Sequence, residues 1–225
     1  MNGTPISPST RAAGLWSAVL ATIFSISYVV GQLAEWLGLL GSQGGPSSAS
    51  TPLGLAILLT PSLFLGSSFL VLMVSIHQIA PVEKKVWSHA AVAFATAYTV
   101  LISTVYFVQL TFVAPHLVRG DTAPIEVFRF VPFDSYFYAV DILGYSFMSV
   151  STLFAGLTFG GERIQRAARF FLIANGVLVP FLALQLYFHW LIWIASLWAF
   201  TFPASTWTLA FIFRRAETSH AAARL

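Results

Sequence analysis

The sequence predicts an all-α fold: a polytopic integral membrane bundle of six transmembrane helices, with both termini in the cytoplasm. Three observations carry that expectation. The chain of 225 residues is 57% hydrophobic and 8% charged, with a mean hydropathy of +0.81, whereas an ordinary soluble domain is about 25% charged. So little charge cannot clothe a surface that faces water, while a bilayer allows most of the surface to stay apolar. Six stretches each reach the roughly 20 apolar residues needed to cross a hydrocarbon core. When these stretches alternate in direction, nine of the 11 basic residues fall on one side.

Residues 1–13 are a short polar lead whose only charge is Arg11. The apolar run that follows is longer than a signal-peptide core and lacks a clear small-residue cleavage site, so it is expected to remain as the first span, residues 15–40. Residues 41–52, rich in Gly, Ser and Pro, read as a flexible loop. The second span is residues 53–79, with Pro61 inside it. A charged connector containing Glu83, Lys84 and Lys85 leads to the third, residues 90–113. The longest connection, residues 116–132, mixes Arg119, Asp121, Glu126 and Arg129 and ends in an aromatic run. It leads into the fourth span, residues 134–157.

A second basic connector with Arg163, Arg166 and Arg169 is amphipathic enough to begin the fifth span at the interface. That span covers residues 170–187, and Pro180 predicts a kink in it. A tight turn near His189 leads to the sixth, residues 191–213, with Pro203 inside, and a polar tail follows. The whole chain, residues 1–225, reads as a single transmembrane domain without an internal repeat that would suggest an inverted-repeat transporter.

Arg11, Lys84, Lys85, Arg163, Arg166, Arg169, Arg214, Arg215 and Arg224 then share one side, and only Arg119 and Arg129 lie on the other. The positive-inside rule places the first group, with both termini, in the cytoplasm. The expected location is a prokaryotic plasma membrane. Topology explains these basic residues, so no nucleic-acid partner is called for.

Orientation assigns depth, and depth singles out candidate site residues. The fourth span carries Asp134, Tyr138, Asp141, Tyr145, Ser149 and Thr152 on one narrow helical face, with Val140, Leu143 and Phe147 pointing elsewhere. Asp141 lies about two turns, ~10 Å, below the outer surface. Near the outer end of the first span, Ser25, Tyr28, Gln32 and Glu35 share a face. The third span offers a stripe of Thr96, Thr99, Ser103 and Tyr106 with Gln109 at its edge, and the fifth offers Gln185 on the face of Asn175. His189, Trp190 and Trp193 follow in the turn. The cytoplasmic half is poorer: Thr60, Ser67, Ser68 and Ser75 can return hydrogen bonds to their own helix.

A carboxylate inside a bilayer costs about 2.5 kcal/mol or more, so such groups face a bundle interior or a cavity. Two of them at one depth with tyrosines, amides and a histidine predict a polar chamber in the outer half, lidded by residues 116–132. A carboxyl group there could serve as an acid or a proton carrier. The expected ligand-binding residues are Asp141, Glu35, Gln32, Tyr106, Gln109, Tyr138, Tyr145, Gln185, His189 and Trp193. Each has a plainer reading as well. Glu35 could be solvated at the membrane surface, Asp141 could bind Tyr106 or Gln109 as helix-to-helix glue, and His189 could cap its turn. Tyr138 and Tyr145 could be packing aromatics.

Other chemistries lack their residues. The chain has no cysteine, which removes disulfides and thiolate chemistry, and its lysines, Lys84 and Lys85, lie in a connector, which argues against retinal. The histidine spacings specify neither haem nor zinc, and no nucleotide loop or serine elbow stands out. No metal is expected, and no cofactor is identified. Membrane lipids are the certain partners. A small lipophilic or amphipathic ligand, bound with or without catalysis, is the leading functional expectation. The alternatives are an accessory subunit contacting other membrane subunits and, last, a proton-coupled transporter, for which the cytoplasmic half offers no ionisable relay.

Overall fold

Six helical segments are long and apolar enough to cross a membrane: Pro8–Trp36, Pro52–Ile79, Val82–Arg119, Tyr136–Thr158, Arg163–Leu184 and His189–Arg215. They come from a computed structural model that describes residues 6–222, with side chains over residues 6–215. The first residues of the polar lead, Arg224 and the side chains of the polar tail lie outside the described residues. Among the described residues all regular structure is helical. In chain order the α-helices are α1 (Pro8–Trp36), α2 (Pro52–Ile79), α3 (Lys85–Val108), α4 (Ala114–Arg119), α5 (Tyr136–Thr158), α6 (Arg163–Gly176), α7 (Val179–Leu184), α8 (Ile192–Ala195) and α9 (Trp198–Ala222).

The helix ends follow local chemistry. Ser7, Thr51 and Ser135 cap α1, α2 and α5 by accepting a backbone N–H with their hydroxyls. At the other end of α1, Gly38 takes a left-handed φ of 74°. The Gly38 N–H bonds the carbonyl of Glu35 and the Leu39 N–H that of Ala34, each at 2.9 Å, a Schellman arrangement. The expected first span ran on to Leu40 because its hydropathy did. The helix stops at Trp36 because Gly38 caps it, which puts Glu35 in the last turn.

The third span is longer than expected. The expected span ended at Val113, yet the chain inserts a π-helical turn, Gln109–Val113, and continues as α4 to its cap at Gly120. The wide turn and the position of Pro115 at the start of α4 accommodate its missing N–H. His116 and Arg119 are therefore helical, and the connection to α5 is shorter, residues 120–135. In the fifth span the break expected from Pro180 lies at residues 177–178, between α6 and α7. The turn after α7 passes through a 3-10 segment, His189–Leu191, and the short α8 before α9 begins.

Packing closes a ring in sequence order: α1 on α2, α2 on α3, α3 on α5, α5 on α6, α6 on α9, and α9 back on α1. Small residues set the close approaches. A Cβ on Gly176 would lie 2.5 Å from the Leu153 Cβ, so α5 and α6 touch backbone to backbone there. Gly144 similarly admits Ile102 of α3. Polar side chains then link helices in the interior. Asn175 donates to Thr152 and accepts from Thr201, both at 3.0 Å, tying α5, α6 and α9. Thr22 and Thr206 pair at 2.7 Å between α1 and α9.

Outward faces are apolar. Ile23, Ile26, Val30 and Leu33 of α1 are all exposed, as are Phe64, Val71 and Val74 of α2. Without a membrane these faces would be a large aggregation surface, and across a span they are the surface that lipid chains cover. The chain is a multi-pass integral membrane protein in contact with membrane lipids. The two inter-span connectors rich in basic residues meet at one end, where Lys84 donates to the Thr158 carbonyl at 3.2 Å. Lys85 donates to the carbonyl of His77 at the same end. Loops 37–51 and 120–135 lie at the other.

Candidate functional site

The fourth-span stripe is the inward face of α5. Tyr138, Asp141, Tyr145, Ser149 and Thr152 are all buried, while Leu143 is exposed on the opposite side. Asp134 is exposed in the turn before the helix. On α1 the Tyr28 hydroxyl donates to Gln32 Oε1 at 2.9 Å, one turn before Glu35. Glu35 has only 2% of its surface exposed, which removes the reading of a carboxylate solvated at the membrane surface. It fits because Gly54 of α2 has no side chain: a Cβ there would lie 2.7 Å from Glu35 Oε2.

These faces converge on a cavity of about 430 Å³, a volume in the range of small-molecule sites. Glu35 and Asp141 both line it. With them stand Gln32, Tyr138, Tyr145, Gln185 and Trp193, so seven of the ten residues singled out above share one wall. The remaining wall is mainly apolar, with Leu55, Leu58, Leu59, Ile142 and Leu182. Phe130 and Pro132 close one side from the loop expected to act as a lid. Loop 37–51 contributes Gly45, Pro46, Ser48 and Ser50. This loop read as flexible linker, but it is pinned: Gly45 N–H bonds the Trp36 carbonyl at 2.8 Å and Thr51 Oγ1 bonds that of Leu40 at 2.7 Å. Gly44 must be glycine, since its φ is 77° and a Cβ would lie 2.8 Å from the Trp36 carbonyl oxygen.

Three expected residues stand outside the wall, two because of the azimuth of α3 and the third, His189, because its turn carries it to the rim. The buried face of that helix runs through Ala91, Ala95, Tyr98, Ile102, Val105 and Tyr106, not through Thr96, which is exposed and bonds its own helix. Tyr106 supports the wall from behind, donating to the Tyr145 hydroxyl at 3.1 Å. Gln109 faces the other way. Its Nε2 donates to the Phe128 carbonyl at 2.6 Å and so anchors loop 120–135 rather than Asp141. His189 is exposed and stacks on Phe133 at 4.2 Å between ring centroids, which places it on the loop rim.

Residues not singled out complete the site. Trp198 of α9 packs on Tyr28 at 5.5 Å and on Tyr145 at 5.7 Å, forming a three-ring cluster in the wall. Trp36 meets Trp193 edge-on at 5.5 Å. Tyr28 was legible through its spacing to Gln32 and Glu35. The signal that could have found Trp198 is its spacing to Thr201 and Ser205, three and seven residues on, which turn toward the interior.

The polar groups of the wall are unusual in what they lack. Both Glu35 carboxyl oxygens, Asp141 Oδ1 and Gln185 Oε1 are buried and have no hydrogen-bond partner. Such atoms cost about 1–3 kcal/mol each when left unpaired, and each calls for an explanation. The described residues hold no group of three His, Cys, Asp or Glu able to bind a metal ion. Comparison with family models, curated proteins and solved structures finds no match for the chain.

Proposed function

We propose that this membrane protein binds a small amphipathic or lipid-like ligand in the chamber between α1, α2, α5 and α9. One observation carries the reading: two buried carboxyl groups from separate helices, with unpartnered oxygens, line one cavity of about 430 Å³. A site maintained at that energetic cost, inside a solvent that punishes polarity, is explained by an occupant that completes its bonds. Asp141 is the central polar group and Glu35 its partner. Tyr138, Tyr145, Gln32 and Gln185 orient the ligand, and Trp36, Trp193 and Trp198 enclose it. Tyr106 holds Tyr145 in place.

The asymmetry of basic residues favours an orientation with both termini in the cytoplasm and the chamber toward the outer face. The far half of the bundle holds hydroxyls and Asn175 in its interior, which does not favour a proton path across the membrane.

Native mass spectrometry on protein extracted gently from its own membrane tests the proposal. A stoichiometric small-molecule adduct is expected on the wild type and absent from Asp141→Asn. A folded wild-type protein that carries no adduct but retains a partner polypeptide would overturn the proposal in favour of an accessory-subunit role.

A further inference from the structure

The chamber specifies the charge of its occupant, an inference that rests on the ligand-binding reading and deepens it. Every unpartnered buried atom in the wall is an acceptor: two oxygens from Glu35, one from Asp141, one from Gln185. Several of the donors are already engaged. The Tyr28 hydroxyl is on Gln32, Gln185 Nε2 bonds the Leu182 carbonyl at 3.1 Å, and Ser196 Oγ bonds the Trp193 carbonyl at 2.8 Å. No lysine, arginine or histidine among the described residues lines the cavity to answer the two acids.

The same cavity is lined by the mutually packed Tyr28, Tyr145 and Trp198 rings, whose faces carry negative quadrupole potential and attract cations. An anion would meet two carboxyl groups and aromatic faces with no basic side chain in return. A neutral alcohol brings one donor to four vacant acceptors. A quaternary ammonium satisfies the rings but has no N–H to give.

We propose that the chamber takes the protonated amine end of a small apolar molecule, with Asp141 and Glu35 as counter-charges and the Tyr28, Tyr145 and Trp198 rings around it. The leucine-rich part of the wall receives the apolar body.

The test compares four probes with one chain length: n-octylamine, octan-1-ol, octanoate and octyltrimethylammonium. Each is titrated at neutral pH against the full-length protein in nanodiscs of zwitterionic lipid, with thermal unfolding as the readout. Octylamine is expected to bind at least tenfold more tightly than octanol and the quaternary probe, with octanoate weakest. In Glu35→Gln and Asp141→Asn, separately, the preference for amine over alcohol is expected to shrink while octanol binding persists. Equal binding of octylamine and octanol to the wild type would overturn the charge assignment and leave the chamber standing. Quaternary binding as tight as the amine would overturn the role given to the vacant acceptors. If none of the four shifts the unfolding midpoint, both the charge assignment and the chamber reading fall.

Discussion

Asp141 and Glu35 carry buried carboxyl oxygens that lack hydrogen-bond partners. Natural proteins keep polar groups of this kind against stability, and apolar replacement of a poorly satisfied buried charge is commonly neutral or stabilising. Asp141 faces a cavity, so a larger side chain has room to enter it. Asp141→Leu is therefore expected to raise the thermal unfolding midpoint in detergent, by about 1–2 kcal/mol of stability, while abolishing the adduct. A loss of about 3 kcal/mol or more would instead identify the carboxyl as a structural partner of Tyr106, the glue reading. Phe133 is the other residue under strain. It holds a left-handed φ of 66° without being glycine, and its ring is gripped between His189 at 4.2 Å and Tyr138 at 5.2 Å. The stack on His189 and the edge-on contact with Tyr138 offset a backbone cost of about 1–2 kcal/mol and hold the loop carrying Phe130 and Pro132 over the cavity.

Among the elements, glycine sets how closely α5 approaches its neighbours α3 and α6. The consequences of adding one methyl group differ by position. At Gly144 the new Cβ would meet the terminal carbon of Ile102 at 2.8 Å, an atom that can swing aside. At Gly176 it would meet the Cβ and backbone of Leu153, at 2.5 Å and 2.8 Å, which cannot move without parting two helices. Gly176→Ala is thus expected to destabilise by about 1–3 kcal/mol, and Gly144→Ala by clearly less. Thermal unfolding of the two variants side by side checks this; equal midpoints would mean that α5 and α6 separate freely. Parting these helices also strains the hydrogen-bonded chain of Thr152, Asn175 and Thr201.

For the whole molecule the open matter is which way it sits. The chain contains no cysteine, so single cysteines can be introduced as labels on an otherwise silent background. Ser47 lies exposed in loop 37–51 and Arg163 lies exposed in the basic connector at the opposite end. With a membrane-impermeant maleimide on intact cells, Ser47→Cys is expected to label and Arg163→Cys to label only after permeabilisation. The reverse pattern would place the chamber toward the cytoplasm and defeat the positive-inside argument, leaving the cavity itself untouched.

The number of spans was legible because hydropathy over about 20 residues is a local quantity that needs no partner. The stripe from Tyr138 to Thr152 was legible for a related reason: in a membrane helix, polar side chains mark the inner face. Apolar periodicity is silent in this setting, since lipid tails are as apolar as a protein core and hydrophobicity does not tell inside from outside. Tyr98 was therefore invisible as an interior group, and the α3 stripe ran onto the exposed face at Thr96 while its Tyr106 end is buried. Span ends placed by hydropathy alone, at Leu40 and Val113, missed the observed ends at Trp36 and Arg119 by a turn or more. Ring closure decided the rest. Whether Glu35 on α1 meets Asp141 on α5 depends on how six helices rotate about their own axes, and only their mutual packing sets those angles.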